Sequence, residues 1–175
     1  MFTKGKVTAP LKALVEDLKH VLSPNTARAL RAQKKNKLRD FVQVAGQLNV
    51  SFFLIISSTE KATYLRLVRT PHGPTLTFRL NQYSLASDVA ASQRRPFSGG
   101  HGIWQAAPML VISDFDKEVL HQKLASTLFQ NLFPTMVASE LQISACRRVV
   151  LLHQRAEEEG GGMELRHYAI KAAPT

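Results

Sequence analysis

Between Arg28 and Arg39 the chain places Arg28, Arg31, Lys34, Lys35, Lys37 and Arg39 with no acidic residue among them, and Asp40 is the first negative charge to follow. Cations at this density suit a polyanion, because each guanidinium or ammonium can sit on a phosphate, and nucleic acid is the commonest such partner. Residues 1–40 hold ten basic and three acidic side chains, net +7, and the remaining 135 hold 13 and ten, net +3, of a formal +10. The plainer reading of the run is a solvated basic helix or a nuclear-import signal. Nucleic-acid contact is the stronger one, because the high pI of about 10.1 belongs to the whole chain.

Further cations are scattered downstream: Arg66, Arg69 and Arg79 on an expected hairpin, the pairs Arg94-Arg95 and Arg147-Arg148, and Arg166 with Lys171 on the last expected strand. On exposed strand faces they extend a phosphate-binding surface from the basic helix, although each alone is ordinary surface charge. The aromatics able to stack unpaired bases are Tyr64, Tyr83, Trp104 and Tyr168. Core or loop anchoring accounts for each equally well, so recognition of folded RNA by backbone and shape is the more economical mechanism.

Catalytic chemistry is thinly represented. Asp114-Phe115-Asp116 sets two carboxylates where a divalent cation can bind, but Asp116 stands where the next helix wants an N-cap, and the cap is the better reading. Ser98-Gly-Gly-His-Gly102 lacks the Gly-Lys-Ser/Thr ending of a phosphate loop and reads as a mobile linker. The six histidines, at 20, 72, 101, 121, 153 and 167, form no metal-ligand spacing. His153 and His167 are placed to face each other across the last hairpin. Cys146, the single cysteine, stands beside two arginines able to lower its pKa, yet it begins an apolar strand and reads as core. The expectation is no enzyme, no metal and no cofactor.

The positioning elements follow from periodicity. A helix over Pro10–Leu22 lines Leu11, Leu14, Val15, Leu18, Val21 and Leu22 on one face, with Pro10 in the first turn and Ser23-Pro24 at its end. Asn25 or Thr26 can cap a second helix that sets Arg28, Arg31, Lys35 and Arg39 near one face and turns Leu30, Leu38 and Phe41 toward the protein. Val50–Ile56 is a continuous apolar strand covered on both sides. Tyr64–Thr70 and Thr75–Leu80 alternate and form a hairpin, with Gly73 in the turn at positive φ. A short helix over Ser84–Arg95, capped by Ser84, precedes the loop Pro96–Gly102. Pro108–Ser113 reads as another buried strand and Lys117–Phe133 as a helix with Leu120, Leu124, Leu128 and Leu132 at four-residue spacing. Two strands, Arg147–His153 and Glu164–Lys171, flank the solvated loop Glu157–Gly162.

A helix, a buried strand and a hairpin thus occur twice, over 27–80 and 117–171. The fold class is α/β, in two pseudo-repeated halves with mixed sheets covered by helices. At 175 residues and 45% hydrophobic content, one domain with an ample core is expected, in a reducing compartment. The apolar runs are too short to cross a bilayer, and no signal peptide is evident.

The segments KKNKLRDFVQVAGQLNVSFFLIISSTE, YLRLVRTPHGPTLTFRLNQYSL, LFQNLFP and ELRHYAIKAAP together resemble Brix-domain proteins, and within them the Peter Pan branch of ribosome-assembly factors. The resemblance runs over nearly the whole chain. It implies an anticodon-binding-like α/β fold in two halves, 1–175 as a single Brix domain, and no catalysis. It also implies a nuclear, nucleolar factor that binds pre-ribosomal RNA, other large-subunit assembly factors and ribosomal proteins during large-subunit (60S) maturation, with no membrane and no small-molecule substrate. Family members carry a further basic N-terminal extension and continue beyond the equivalent of Lys171–Pro174, so the chain is expected to be trimmed at both ends.

Two functions follow from these readings. In one, the basic residues dock the chain on pre-rRNA phosphates. In the other it is a protein-interaction module, recruited by partners without direct RNA contact. An isolated tRNA-anticodon-binding domain shares the fold type but lacks any accompanying synthetase-like segment.

Overall fold

The computed structural model describes residues 1–28, 38–96, 100–134, 146–156, 158 and 160–171. They form two compact units, the first of residues 1–19 and 26–97, the second of residues 20–25 and 98–175. Each is built on its own sheet.

In the first unit the order is β1 (Phe2–Lys4), α1 (Ala9–Val21), α2 (Leu38–Ala45), β2 (Phe52–Ser58), β3 (Thr63–Arg69), β4 (Thr75–Leu80) and α3 (Ala86–Ser92). The sheet runs β1-β2-β3-β4, with β1 parallel to β2 and the other neighbours antiparallel. The apolar run over β2 is buried on both faces, as its lack of alternation requires. Ile56 packs with Leu11, Leu14 and Val15 of α1 on one side, while Phe53 and Ile55 pack with Phe41, Val42 and Ala45 of α2 on the other. Phe2 stacks on Phe41 at 4.5 Å between ring centres, and Phe53 meets both rings edge-on at 6.2 and 6.3 Å, which pins α2 to β1 and β2.

Several local expectations are corrected here. Residues 25–28 are not helical, so neither Asn25 nor Thr26 caps a helix there, and the stretch from 29 to 37 lies outside the described residues. Phe41 faces the core as expected, but Leu38 is 40% exposed. Gly73 is not at positive φ. A Cβ at that position would lie 2.5 Å from the Arg69 Cβ, so the turn needs glycine for room instead. Ser84 does not cap α3. The Asp17 carboxylate of α1 accepts a hydrogen bond from the Ala86 N–H at 2.9 Å, a cap supplied from a distant part of the sequence.

The second unit contains a 3₁₀ turn (His101–Trp104), β5 (Met109–Ser113), α4 (Leu120–Leu132), β6 (Arg148–Gln154) and β7 (Met163–Ala169). Its sheet runs β5-β6-β7, parallel and then antiparallel. Ala125, Leu128, Phe129, Phe133, Val150, Leu152 and Ile103 are buried. The expected loop over Pro96–Gly102 runs into the 3₁₀ turn, where Ile103, the residue after it, is buried, while Phe97, Ser98 and Gly99 lie outside the described residues. β5 is an edge strand with one open face: Val111 is 37% exposed, which a strand buried on both sides would not allow. Asp116 is not the N-cap of α4. Its carboxylate accepts from the Glu118 N–H at 2.8 Å, closing a turn before the helix begins, and Leu120 at the helix start is 79% exposed.

The pairing registers reveal the repeat in detail. Phe2↔Ile55↔Arg66 in the first sheet corresponds to Val111↔Leu151↔Arg166 in the second. Constant offsets of 109, 96 and 100 residues carry β1 to β5, β2 to β6 and β3 to β7. The echo seen in the sequence thus extends one strand further toward the N-terminus, through the three-residue β1.

Candidate nucleic-acid interface

Paired residues in a sheet share a face. In the first unit, one face has the rows Phe53–Val68–Thr75, Phe2–Ile55–Arg66–Thr77 and Lys4–Ser57–Tyr64–Arg79. The apolar members, Phe2, Phe53, Ile55 and Val68, pack with α2. That cluster includes no member of the Lys4–Ser57–Tyr64–Arg79 row. The rest of the face is polar: Lys4, Arg66, Thr75, Thr77 and Arg79 are exposed, with Ser57 and Tyr64 half-buried between them.

No acidic residue occupies any of these rows, and among the described residues no ion pair engages Lys4, Arg66 or Arg79. Arg66 and Arg79 stand diagonally across the β3–β4 pair, about 7–8 Å apart. Lys4 lies three strands from Arg79, roughly 14 Å away. Arg39, exposed in α2, rides on the helix that covers the apolar half of the same face. Three unneutralised cations around hydroxyls and a tyrosine suit phosphate and sugar contacts.

The other expected cations are placed differently. Arg31, Lys34, Lys35 and Lys37 lie outside the described residues, and Arg28 is exposed just before them. Arg69 falls on the opposite face from Arg66 and Arg79, with its guanidinium 5.5 Å from the centre of the Phe52 ring. Arg94 and Arg95 are exposed beyond α3. In the second unit Arg147 and Lys171 are exposed, and Arg166 is held by Glu164 at 2.9 Å. Hydrogen bonds with Tyr168 and then Glu164 raise the Arg166 pKa, so this guanidinium is already partnered.

Arg148 is a correction. It is 1% exposed and cannot reach a phosphate. One terminal nitrogen donates to the His20 and Val21 carbonyls at 3.1 Å each, and the other to Ser23 at 2.6 Å and Ala106 at 2.7 Å. The guanidinium lies 4.8 Å from the centre of the Trp104 ring. Trp104 in turn stacks on His167 at 5.9 Å, so this tryptophan is an interior anchor and not a base platform. Burial and the Arg148 charge push His167 down to about 4. His153 and His167 do not face each other, because His153 pairs with Glu164 and His167 with Val150, on opposite faces of the sheet. His153 Nδ1 instead meets the Asp114 carboxylate at 3.0 Å.

Lys4 escaped the sequence reading. A three-residue strand carries too little alternation to be recognised, and only the neighbouring β2 gives it a place. Among the described residues no group of histidine, cysteine, aspartate or glutamate can hold a metal ion, and no described helix is long and apolar enough to cross a membrane.

Comparison with known proteins identifies the family. The Brix domain is matched over residues 4–175. The chain is 41% identical over 174 residues to the Peter Pan-like protein of Arabidopsis thaliana, covering 99% of the chain and 50% of that protein. It is 38% identical over 178 residues to the Suppressor of SWI4 1 homolog of Homo sapiens, covering 99% and 36%. It is 33% identical over 171 residues to Ribosome biogenesis protein SSF1 of Saccharomyces cerevisiae, covering 91% and 37%. The chain thus spans between about a third and a half of the length of these relatives. With the repeated sheets and the match across both, the chain belongs to the Brix-domain family and within it resembles the Peter Pan-like proteins.

Proposed function

We propose that residues 1–175 act as one Brix domain in a non-catalytic ribosome-biogenesis factor, which binds pre-ribosomal RNA during large-subunit maturation in the nucleolus. Two findings support the general role: membership of the Brix family, and similarity to a yeast protein named for ribosome biogenesis. The observation that carries direct RNA contact is the acid-free sheet face on which Lys4, Arg66 and Arg79 converge. The run Arg28, Arg31, Lys34, Lys35, Lys37 and Arg39 leads into α2 beside it and supplies further phosphate contacts. Other assembly factors and ribosomal proteins are partners in the same particle.

About six to nine phosphate contacts from these cations predict that affinity for RNA falls roughly 10³- to 10⁵-fold between about 50 and 200 mM salt. Replacing Arg66 and Arg79 together with glutamate lowers the slope of log affinity against log salt by about 2. A flat salt response in the unaltered chain favours the second reading, in which partner proteins hold it on pre-ribosomes without RNA contact.

A further inference from the structure

Tyr64 is out of keeping with its surroundings. Its row neighbours are Lys4, Ser57 and Arg79, and Arg66 lies two residues along the same strand on the same face. Among the described residues it joins neither the cluster around Ile56 nor the one around Phe53 and Ile55. Among the described residues its ring and hydroxyl make no aromatic contact and no hydrogen bond, whereas a tyrosine kept for packing usually seats its hydroxyl on a partner. The repeat supplies a control: the equivalent position in the second sheet is Glu164, so the architecture does not require an aromatic there.

We infer that Tyr64 is a stacking platform for a nucleobase, and that this face therefore takes an unpaired stretch of RNA rather than a duplex. The inference rests on the RNA-binding reading above and narrows its ligand. A base can lie on a tyrosine ring only when it is free of its own helical stack, and sheets that carry aromatics among cations bind single strands in this way. Ser57 beside the ring is small, which leaves space for a base edge. Arg79 is the cross-strand neighbour of Tyr64, Lys4 ends the same row and Arg66 lies two residues along β3, so cations flank the ring on the same face, and Thr77 is paired with Arg66 across the strands. A paired helix would meet the cations but not the ring, because its base faces are closed.

The test uses the 175-residue chain with Tyr64→Leu, Tyr64→Phe and the Arg66→Glu/Arg79→Glu double variant. Each is titrated by fluorescence anisotropy against a short unstructured pyrimidine RNA strand and against an RNA duplex of the same length. Tyr64→Leu is expected to weaken single-strand binding about 10-fold, within the range for one stacked base, and to leave duplex binding within about twofold. Tyr64→Phe keeps the ring and is expected to match the parent. The double variant weakens both ligands. Equal single-strand affinity in Tyr64→Leu and the parent, or an equal loss on both ligands, overturns the stacking assignment while the RNA-binding reading stands on the double variant. Failure of the parent to bind either RNA overturns both.

Discussion

Replacing Arg148 with methionine tests whether this cation is structural. The guanidinium satisfies four carbonyls at 3.1, 3.1, 2.6 and 2.7 Å, and each charge-assisted bond is worth about 1.5–3 kcal/mol. The gross sum, roughly 6–12 kcal/mol, is opposed by several kcal/mol for taking the cation out of water. Burial lowers the Arg148 pKa, consistent with that opposition. Methionine fills much of the volume but leaves the carbonyls without a donor, and a net loss of about 3–5 kcal/mol is expected, as for a buried group deprived of its partner. With a urea dependence of about 2 kcal/mol per molar, the unfolding midpoint drops by roughly 2 M. The assay is built into the chain: Trp104 is the only tryptophan and lies against the guanidinium, so its emission follows this part of the fold. Lysine at position 148 keeps the charge but not the planar fork, and falls between the two. Parental stability in Arg148→Met, together with weakened RNA binding, would refute the interior role and put the guanidinium on a phosphate.

His167, held down to about 4 by burial and by Arg148, is neutral in the folded chain at pH 5, while the unfolded chain, with a pKa near the usual 6.5, takes up a proton. Stability is therefore complete above about pH 6.5 and declines as pH falls toward 4, by about 2 kcal/mol once the partial exposure of the ring is allowed for. His167→Leu, which restores the residue type found at the equivalent Leu67, is expected to flatten that part of the pH profile in urea titrations. Gly73→Ala forces a methyl onto Arg69 and is expected to cost about 1–3 kcal/mol, seen as a lower Tm. Gly46→Ala meets nothing within 4 Å and is expected to be neutral or to stabilise by up to about 1 kcal/mol.

The sequence was most legible where apolar residues repeat. The unbroken run through Phe53–Ile56 required cover on both faces, and α1 and α2 supply it. The alternation of Leu76, Phe78 and Leu80 set the face of β4 correctly. Caps were less legible, since Asp17 reaches α3 from 69 residues away and no local pattern reports such a bond. Charge was least legible. Arg66, Arg69, Arg79, Arg148 and Arg166 look alike in the sequence, yet one is buried on carbonyls, one is paired with a glutamate, one lies over a phenylalanine, and only two share an open face. Strand parity and register separate them, and register depends on partners distant in sequence. The same parity places Tyr64 among cations, whereas from the sequence packing and stacking account for it equally well.

The measurement that bears most directly on direct RNA contact is ultraviolet crosslinking in cells. The tagged chain and its Arg66→Glu/Arg79→Glu variant are compared, with the crosslinked RNA sequenced. Crosslinks clustered in large-subunit precursor rRNA and depleted in the variant are the predicted result. Co-purification of the chain with pre-ribosomes without crosslinks, or crosslinks unchanged in the variant, would contradict the assignment of this sheet face to RNA.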